Sequence, residues 1–139
     1  MERTAVDTGL FIAFEGGEGS GKSTQSRLLA SWFEKQGRTV LHTRQPGGTA
    51  VGQTLRNILL DPATGDLSPR TEALIYLADK AEHADVVLRP ALESGKVVIT
   101  DRYVESMLAY QGAGRDLSPH ELAPIADWAT GNLTPDLTI

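Results

Sequence analysis

No cysteine occurs in the 139 residues of this chain, which excludes disulfides, thiolate metal sites and a cysteine nucleophile. Long apolar runs are missing too. The longest, such as Ala73–Ala78, are far below the roughly 18 residues that suggest a membrane span. Met1–Gly9 mixes charged and polar residues without the apolar centre of a secretory signal, and residues 1–9 are expected to be flexible. An excess of positive charge is also lacking. The net charge of −5 argues against the broad basic surface that nucleic acid requires. Neither nucleic acid nor membrane is therefore an expected partner, and the expected location is the cytoplasm. His42, His83 and His120 lie far apart with no ligand-spaced pair, so each reads as a surface or half-buried residue.

What is present alternates between short β-rich runs and longer helical segments. Leu10–Phe14 is an apolar run between a polar start and a glycine cluster, the pattern of a buried strand. Gly21–Gln36 carries Leu28, Leu29, Trp32 and Phe33 at helical spacing, with Gly37 as a stop. Thr39–Thr43 is a second strand. After Pro46-Gly47-Gly48, Thr49–Leu60 reads as a helix with Val51, Leu55, Ile58 and Leu59 on one face, and Pro62–Pro69 as a loop. A helical region follows from about Arg70 to Glu93, which Pro90 should kink or divide. Val97–Thr100 is a further strand. Tyr103–Gln111 and Ser118–Thr130 are helical, the second with Ser118 as N-cap, Pro119 at its first position and Glu121 at its third. Pro135–Ile139 opens another strand. Strands separated by helices predict a parallel α/β sheet with covered faces. The chain reads as one domain over 1–139, lacking a C-terminal part because it stops as a strand begins.

Gly16-Gly17-Glu18-Gly19-Ser20-Gly21-Lys22-Ser23 matches the phosphate-binding loop pattern G-x-x-x-x-G-K-[ST]. Glycines let the backbone curl so that successive N–H groups face an anion, and the next helix adds its positive N-terminus. Lys22 supplies a mobile charge for the β- and γ-phosphates, and Ser23 a hard oxygen for Mg²⁺. Thr24 completes the expected ATP site. The match arises by chance in well under ~1 chain in 100 of this length, given glycine at about 7% of residues. A strand before it and an amphipathic helix after it strengthen the reading. Asp101, closing the run Val97-Val98-Ile99-Thr100, is the second expected magnesium ligand.

Three further stretches narrow the class. Thr43-Arg44-Gln45-Pro46-Gly47-Gly48-Thr49, Asp101-Arg102-Tyr103 and Ala109-Tyr110-Gln111-Gly112 resemble the bacterial thymidylate kinases in order and interval. Thr134-Pro135-Asp136-Leu137-Thr138 is similar to that family's next strand entry. The resemblance implies a P-loop NTPase fold, a three-layer α/β/α arrangement around a parallel five-stranded sheet. It implies ATP and Mg²⁺, phosphorylation of dTMP to dTDP, and a homodimer. Lys22, Asp101 and Arg102 would then carry catalysis. Glu18 would accept from the deoxyribose 3′-hydroxyl, and Arg44 and Arg102 would grip the dTMP phosphate with planar forks that suit it better than lysine. Arg56 would add a second basic group, and Tyr76 would stack on thymine where the family usually has Phe. Gln111 would hydrogen-bond the base, and Ser106 would line its pocket.

Some positions depart from the family pattern. Lys80 stands where an arginine usually contacts the base, Gln45 replaces the glutamate of Arg-Glu-Pro-Gly-Gly, and Met107 occupies a place often held by a small polar residue. These changes bear on the strictness of dTMP preference. Competing readings are a P-loop kinase of another nucleoside monophosphate, and a nucleotide-binding module inactive as truncated. A switch GTPase would need an Asn-Lys-x-Asp motif, which is not found within residues 1–139 and could lie only in a segment after them. The variable loop positions Gly17, Glu18, Gly19 and Ser20 hold no basic residue. The resemblance is thus to the bacterial type whose catalytic arginines lie on a lid C-terminal to the strand beginning at Leu137, so a chain ending at Ile139 is expected to turn over poorly.

Overall fold

Leu10–Phe14 forms the first strand, β1, in the computed structural model, which describes residues 9–17 and 19–139. Its neighbour is β3 (Val97–Asp101), paired in parallel with Phe14 opposite Asp101. On the far side of β3 lies β2 (Val40–Arg44), also parallel, with Arg44 opposite Asp101. A short β4 (Leu137–Thr138) pairs with β1 on its other side. The order β2-β3-β1-β4 leaves four parallel strands among the described residues, where the family resemblance implied five. Phe14, Arg44 and Asp101 end in one row, so the segments that follow all leave from the same edge. Ligands of open α/β sheets bind at that edge, outside the carboxyl ends of the strands.

Alternation along the strands assigns each face its cover. Ile12 and Phe14, with Val97 and Ile99, pack against Ala30, Leu29 and Phe33 of α1 (Lys22–Lys35). Phe11, Ala13 and Val98 face the other way, onto Leu88, on Ala91 and Leu92 of α4 (Arg89–Glu93), and on Tyr103. Full burial of side chains such as Phe11, Val98 and Ile99 stabilises the fold by about 1.5–3 kcal/mol each. A third cluster joins Ala73 and Leu77 of α3 (Pro69–His83) to Met107 of α5 (Val104–Met107) and to Leu122, Ala126 and Ala129 of α6 (Pro119–Thr130). Helices thus cover both faces of a central sheet, as expected.

Local structure follows some of these expectations and departs from others. The long helix divides before Pro90, because a π-type turn over Ala84–Leu88 takes up the change and places Pro90 in the first turn of α4; there its missing N–H is not needed. Part of the expected 62–69 loop is a 3₁₀ turn at Pro62–Thr64, capped by Asp61, and Pro69 already belongs to α3. The helix after Tyr103 is α-helical only to Met107 and widens to π geometry over Leu108–Gly112. Ser118 flanks α6 without a side-chain cap bond; its carbonyl accepts from Glu121 and Leu122 instead. On α2 (Ala50–Leu60) the apolar stripe is only partly covered, with Val51 at 50% and Ile58 at 39% exposure. On α1, Leu28 and Trp32 likewise face outward.

Candidate functional site

The loop after β1 leads straight into α1. Gly19 and Gly21 take φ values of 79° and 80°, a left-handed region that costs a side-chain-bearing residue but not glycine. Gly21 flanks α1 without any side-chain cap, and no acidic residue sits in the first turn. The leading N–H groups and the positive end of the helix dipole are therefore left for an external anion. Gly17, Gly19, Ser20, Gly21, Lys22, Ser23 and Thr24 line one side of a cavity of about 600 Å³. Gly16 lies just before this wall, half-buried. The role expected for Glu18 falls outside the described residues.

Opposite the loop, the row of strand ends supplies charge. Arg44, Arg56, Asp101 and Arg102 line the same cavity as Lys22, so a chain of net charge −5 concentrates four cations around one carboxylate. Asp101 Oδ1 lies 3.5 Å from His42 Nε2, and that ring nitrogen is 3.1 Å from Ser26 Oγ. Among the described residues no cluster of three or more acidic, histidine or cysteine side chains could hold a metal. A hydroxyl from Ser23 and one carboxylate from Asp101, lining the same cavity, fit a magnesium ion that keeps several waters and shares phosphate oxygens. Arg102 stands at φ 74°, a strained value for a residue with a side chain. Its N–H donates to Phe14 O at 2.8 Å, its carbonyl accepts from Thr100 Oγ1 at 3.0 Å, and its guanidinium lies over the Tyr110 ring, 5.4 Å from the centroid. Arg56 Nη1 donates to Pro46 O at 3.1 Å.

A second cavity of about 210 Å³ adjoins the first and shares Gln45, Pro46, Tyr76 and Arg102 with it. Lys80, Ser106, Met107 and Gln111 also line it, with Tyr103 and Tyr110. Tyr76 is half-buried, and burial raises its phenol pKa above the usual value. Gln111 is buried, its amide Nε2 3.4 Å from Glu72 Oε1. The structure thus gathers every described sequence-predicted residue except Gly16 around two joined spaces. Ser106 and Lys80 are already engaged there, as Gln111 is with Glu72. Ser106 gives its hydroxyl to Glu15 Oε1 at 2.8 Å. Lys80, only 2% exposed, donates to Gln45 Oε1 at 2.9 Å. Burial pushes the Lys80 ammonium down to about 8, against the pull of Asp79 and Glu15.

Sequence reasoning missed a set of supporting residues. Glu15 accepts from the Tyr103 N–H at 2.6 Å, from the Ser106 N–H at 2.8 Å and from the Ser106 hydroxyl. It thereby caps α5 from the neighbouring strand, a job that a local capping box would otherwise do. Asp79 Oδ1 accepts from the Gly47 N–H at 3.0 Å, while Oδ2 is buried with no hydrogen-bond partner among the described residues; burial raises its carboxyl pKa. His83 is fully buried rather than superficial. Its ring sits between Thr43 Oγ1 at 2.7 Å and Gln45 Nε2 at 2.8 Å, and burial, helped by the Lys80 charge, pushes it down to about 4. No local pattern announces these contacts; the Gln45 departure was the only visible sign.

Comparison with known proteins gives consistent matches. The family model described as thymidylate kinase matches residues 14–139. The thymidylate kinase of Cutibacterium acnes is 53% identical over 131 residues, covering 94% of this chain and 64% of that protein. That of Clavibacter sepedonicus is 54% identical over 132 residues, covering 95% and 62%. The solved structure of thymidylate kinase from Ehrlichia chaffeensis superposes with a TM-score of 0.87 at 36% identity, covering 94% of this chain and 73% of that one. The chain spans a little less than two thirds of the length of the curated relatives it matches.

Proposed function

The chain belongs to the thymidylate kinase family, and from that premise we propose that it binds ATP and dTMP and supports transfer of the γ-phosphoryl group to give dTDP. The observation that carries this reading is the joining of the two cavities through Tyr76 and Arg102. One space has the N–H groups and cations that phosphates need. The other has an aromatic ring and polar side chains of the kind a base needs.

In the proposed arrangement the loop N–H groups and Lys22 hold the β- and γ-phosphates. Arg44, Arg56 and Arg102 hold the dTMP phosphate in line with them, with Arg102 kept in place by its backbone bonds and by Tyr110. Tyr76 stacks on the base, and Gln111 and Lys80 face its polar edge. A dTMP phosphate oxygen attacks the γ-phosphorus as the bond to the β–γ bridging oxygen breaks, and ADP leaves with that electron pair. Catalysis of this kind is positioning plus neutralisation of charge on the equatorial oxygens. Magnesium, held by Ser23 and Asp101, would neutralise part of that charge. Glu18, as the acceptor for the 3′-hydroxyl, remains part of the proposal. So do a homodimer and a cytoplasmic location; no helix among the described residues is long and apolar enough to cross a membrane.

Binding of ATP–Mg²⁺ and ADP production with a panel of nucleoside monophosphates test the reading. Lys22→Ala should leave the fold intact, because the side chain projects into the cavity, and weaken ATP binding about tenfold or more. Unchanged ATP affinity in the folded variant, or equal acceptance of dTMP and purine monophosphates, would sink it.

A further inference from the structure

Lys80 is an unusual group to find at the wall of a base-sized cavity. Its side chain is 2% exposed, and among the described residues its ammonium donates to Gln45 Oε1 alone. An ammonium has three N–H donors and no acceptor, so two donors remain for whatever fills the adjoining space. Leaving them unmet in a buried place is costly, which makes a purely structural role for Lys80 a poor account of its position.

Gln45 is held just as firmly. Its amide Nε2 donates to His83 Nδ1 at 2.8 Å, which requires Nδ1 to be the unprotonated nitrogen. His83 Nε2 then carries the hydrogen and donates to Thr43 Oγ1 at 2.7 Å. Burial keeps this ring neutral, as its depressed pKa of about 4 requires. The link with only one direction is the one from Lys80, a donor that must meet an acceptor, Gln45 Oε1. The Gln45 oxygen therefore faces Lys80 and its NH₂ faces His83 Nδ1, and the Thr43 hydroxyl accepts from the remaining ring N–H.

We propose that Gln45, anchored by its bond to His83, is a positioning residue that sets base specificity by aiming the Lys80 ammonium into the second cavity. At Lys80 the wall then offers a donor to the incoming base. A 4-oxo pyrimidine presents a carbonyl acceptor there and is favoured; a 4-amino pyrimidine presents another donor and is refused. The inference rests on the proposed acceptor class and adds to it the residues that orient the reading group. It also links two departures from the family pattern. Gln45 and Lys80 touch, so a neutral amide serves the lysine where the family pattern has a glutamate and an arginine. Because the amide brings no negative charge, the ammonium is opposed mainly by burial. Asp79 acts on it from α3 and Glu15 from the loop just after β1; Arg102, Tyr76 and Tyr110 share its cavity, and His83 is neutral.

The test uses the full chain with Gln45→Met and Gln45→Glu. Calorimetry measures dTMP and dCMP binding at pH 7 and 9, and NMR follows the Lys80 Cε titration without ligand. In the unaltered chain the dTMP preference should shrink between pH 7 and 9 as Lys80 passes its midpoint near 8. Gln45→Met should cost about tenfold or more in preference, the scale of one charged hydrogen bond. Gln45→Glu keeps an acceptor on Lys80 and lets His83 adopt the opposite tautomer. It should raise the midpoint, since a nearby carboxylate favours the ammonium, and hold the preference to pH 9. The same midpoint and preference in all three chains would overturn the relay while leaving the dTMP reading standing. If the unaltered chain binds neither monophosphate, the acceptor reading fails. The relay is then judged on the midpoint alone, with no rise in Gln45→Glu overturning it. Should Gln45→Met fail to fold, Gln45→Glu decides the matter by the same measurements.

Discussion

Replacing Glu15 by glutamine removes one charge and one acceptor from a place where three donors converge. Oε1 receives the Tyr103 N–H and the Ser106 hydroxyl, and Oε2 receives the Ser106 N–H. Whichever way the new amide turns, its NH₂ faces a backbone N–H. At least one charge-assisted bond is lost, and two donors are left opposed. Such bonds contribute about 1.5–3 kcal/mol. Glu15 is only half-buried, so water recovers part of the loss, and a net cost of about 2 kcal/mol is expected. For a chain of this size that corresponds to a fall of roughly 6–8 °C in Tm. The effect should reach the site, because Tyr103 follows Arg102 directly and the N-terminus of α5 is what the carboxylate fastens. Urea unfolding monitored by circular dichroism gives the stability change, and dTMP titration of the folded variant should show several-fold weaker binding. A stability change below ~0.5 kcal/mol, the range of ordinary surface substitutions, would show that Glu15 does not hold this segment.

Two other predictions concern stability. The Tyr103 hydroxyl donates to Leu133 O at 2.6 Å and so ties the segment leading into β4 to α5; Tyr103→Phe should cost about 1–2 kcal/mol in urea unfolding, and an unchanged midpoint would discount the tie. For His83 the folded pKa lies below the unfolded one, at about 4 against 6.5. Between those values the unfolded chain binds a proton that the folded chain refuses, so stability falls as pH drops from 6.5 to about 4. The full effect is about 3 kcal/mol. Stability measured across this window should fall less steeply in His83→Gln, and the comparison cancels the contribution of Asp79, whose raised pKa acts in the opposite sense. Parallel curves would refute the assignment.

The strands, the phosphate loop and the helix after it were legible because each depends on neighbours in sequence. Leu10–Phe14 is apolar throughout because both faces are covered, and Gly19 and Gly21 are required by the loop's own curvature. The residues around the base cavity were legible by resemblance to a family, position by position. Their support was not. Glu15 meets Ser106 across 91 positions, Thr43 meets His83 across 40, and Gln45 meets Lys80 across 35. A glutamate after a strand reads as a solvated charge and a histidine on a helix as a surface residue. The parallel order β2-β3-β1 brings the ends of three separated strands to one edge, and α3 packs beneath the turn that follows β2. Sequence alone determined which groups could bind phosphate, since that chemistry resides in residue types and short spacings. Only the tertiary structure decided which way those groups are turned, because orientation comes from partners that the fold delivers from far along the chain.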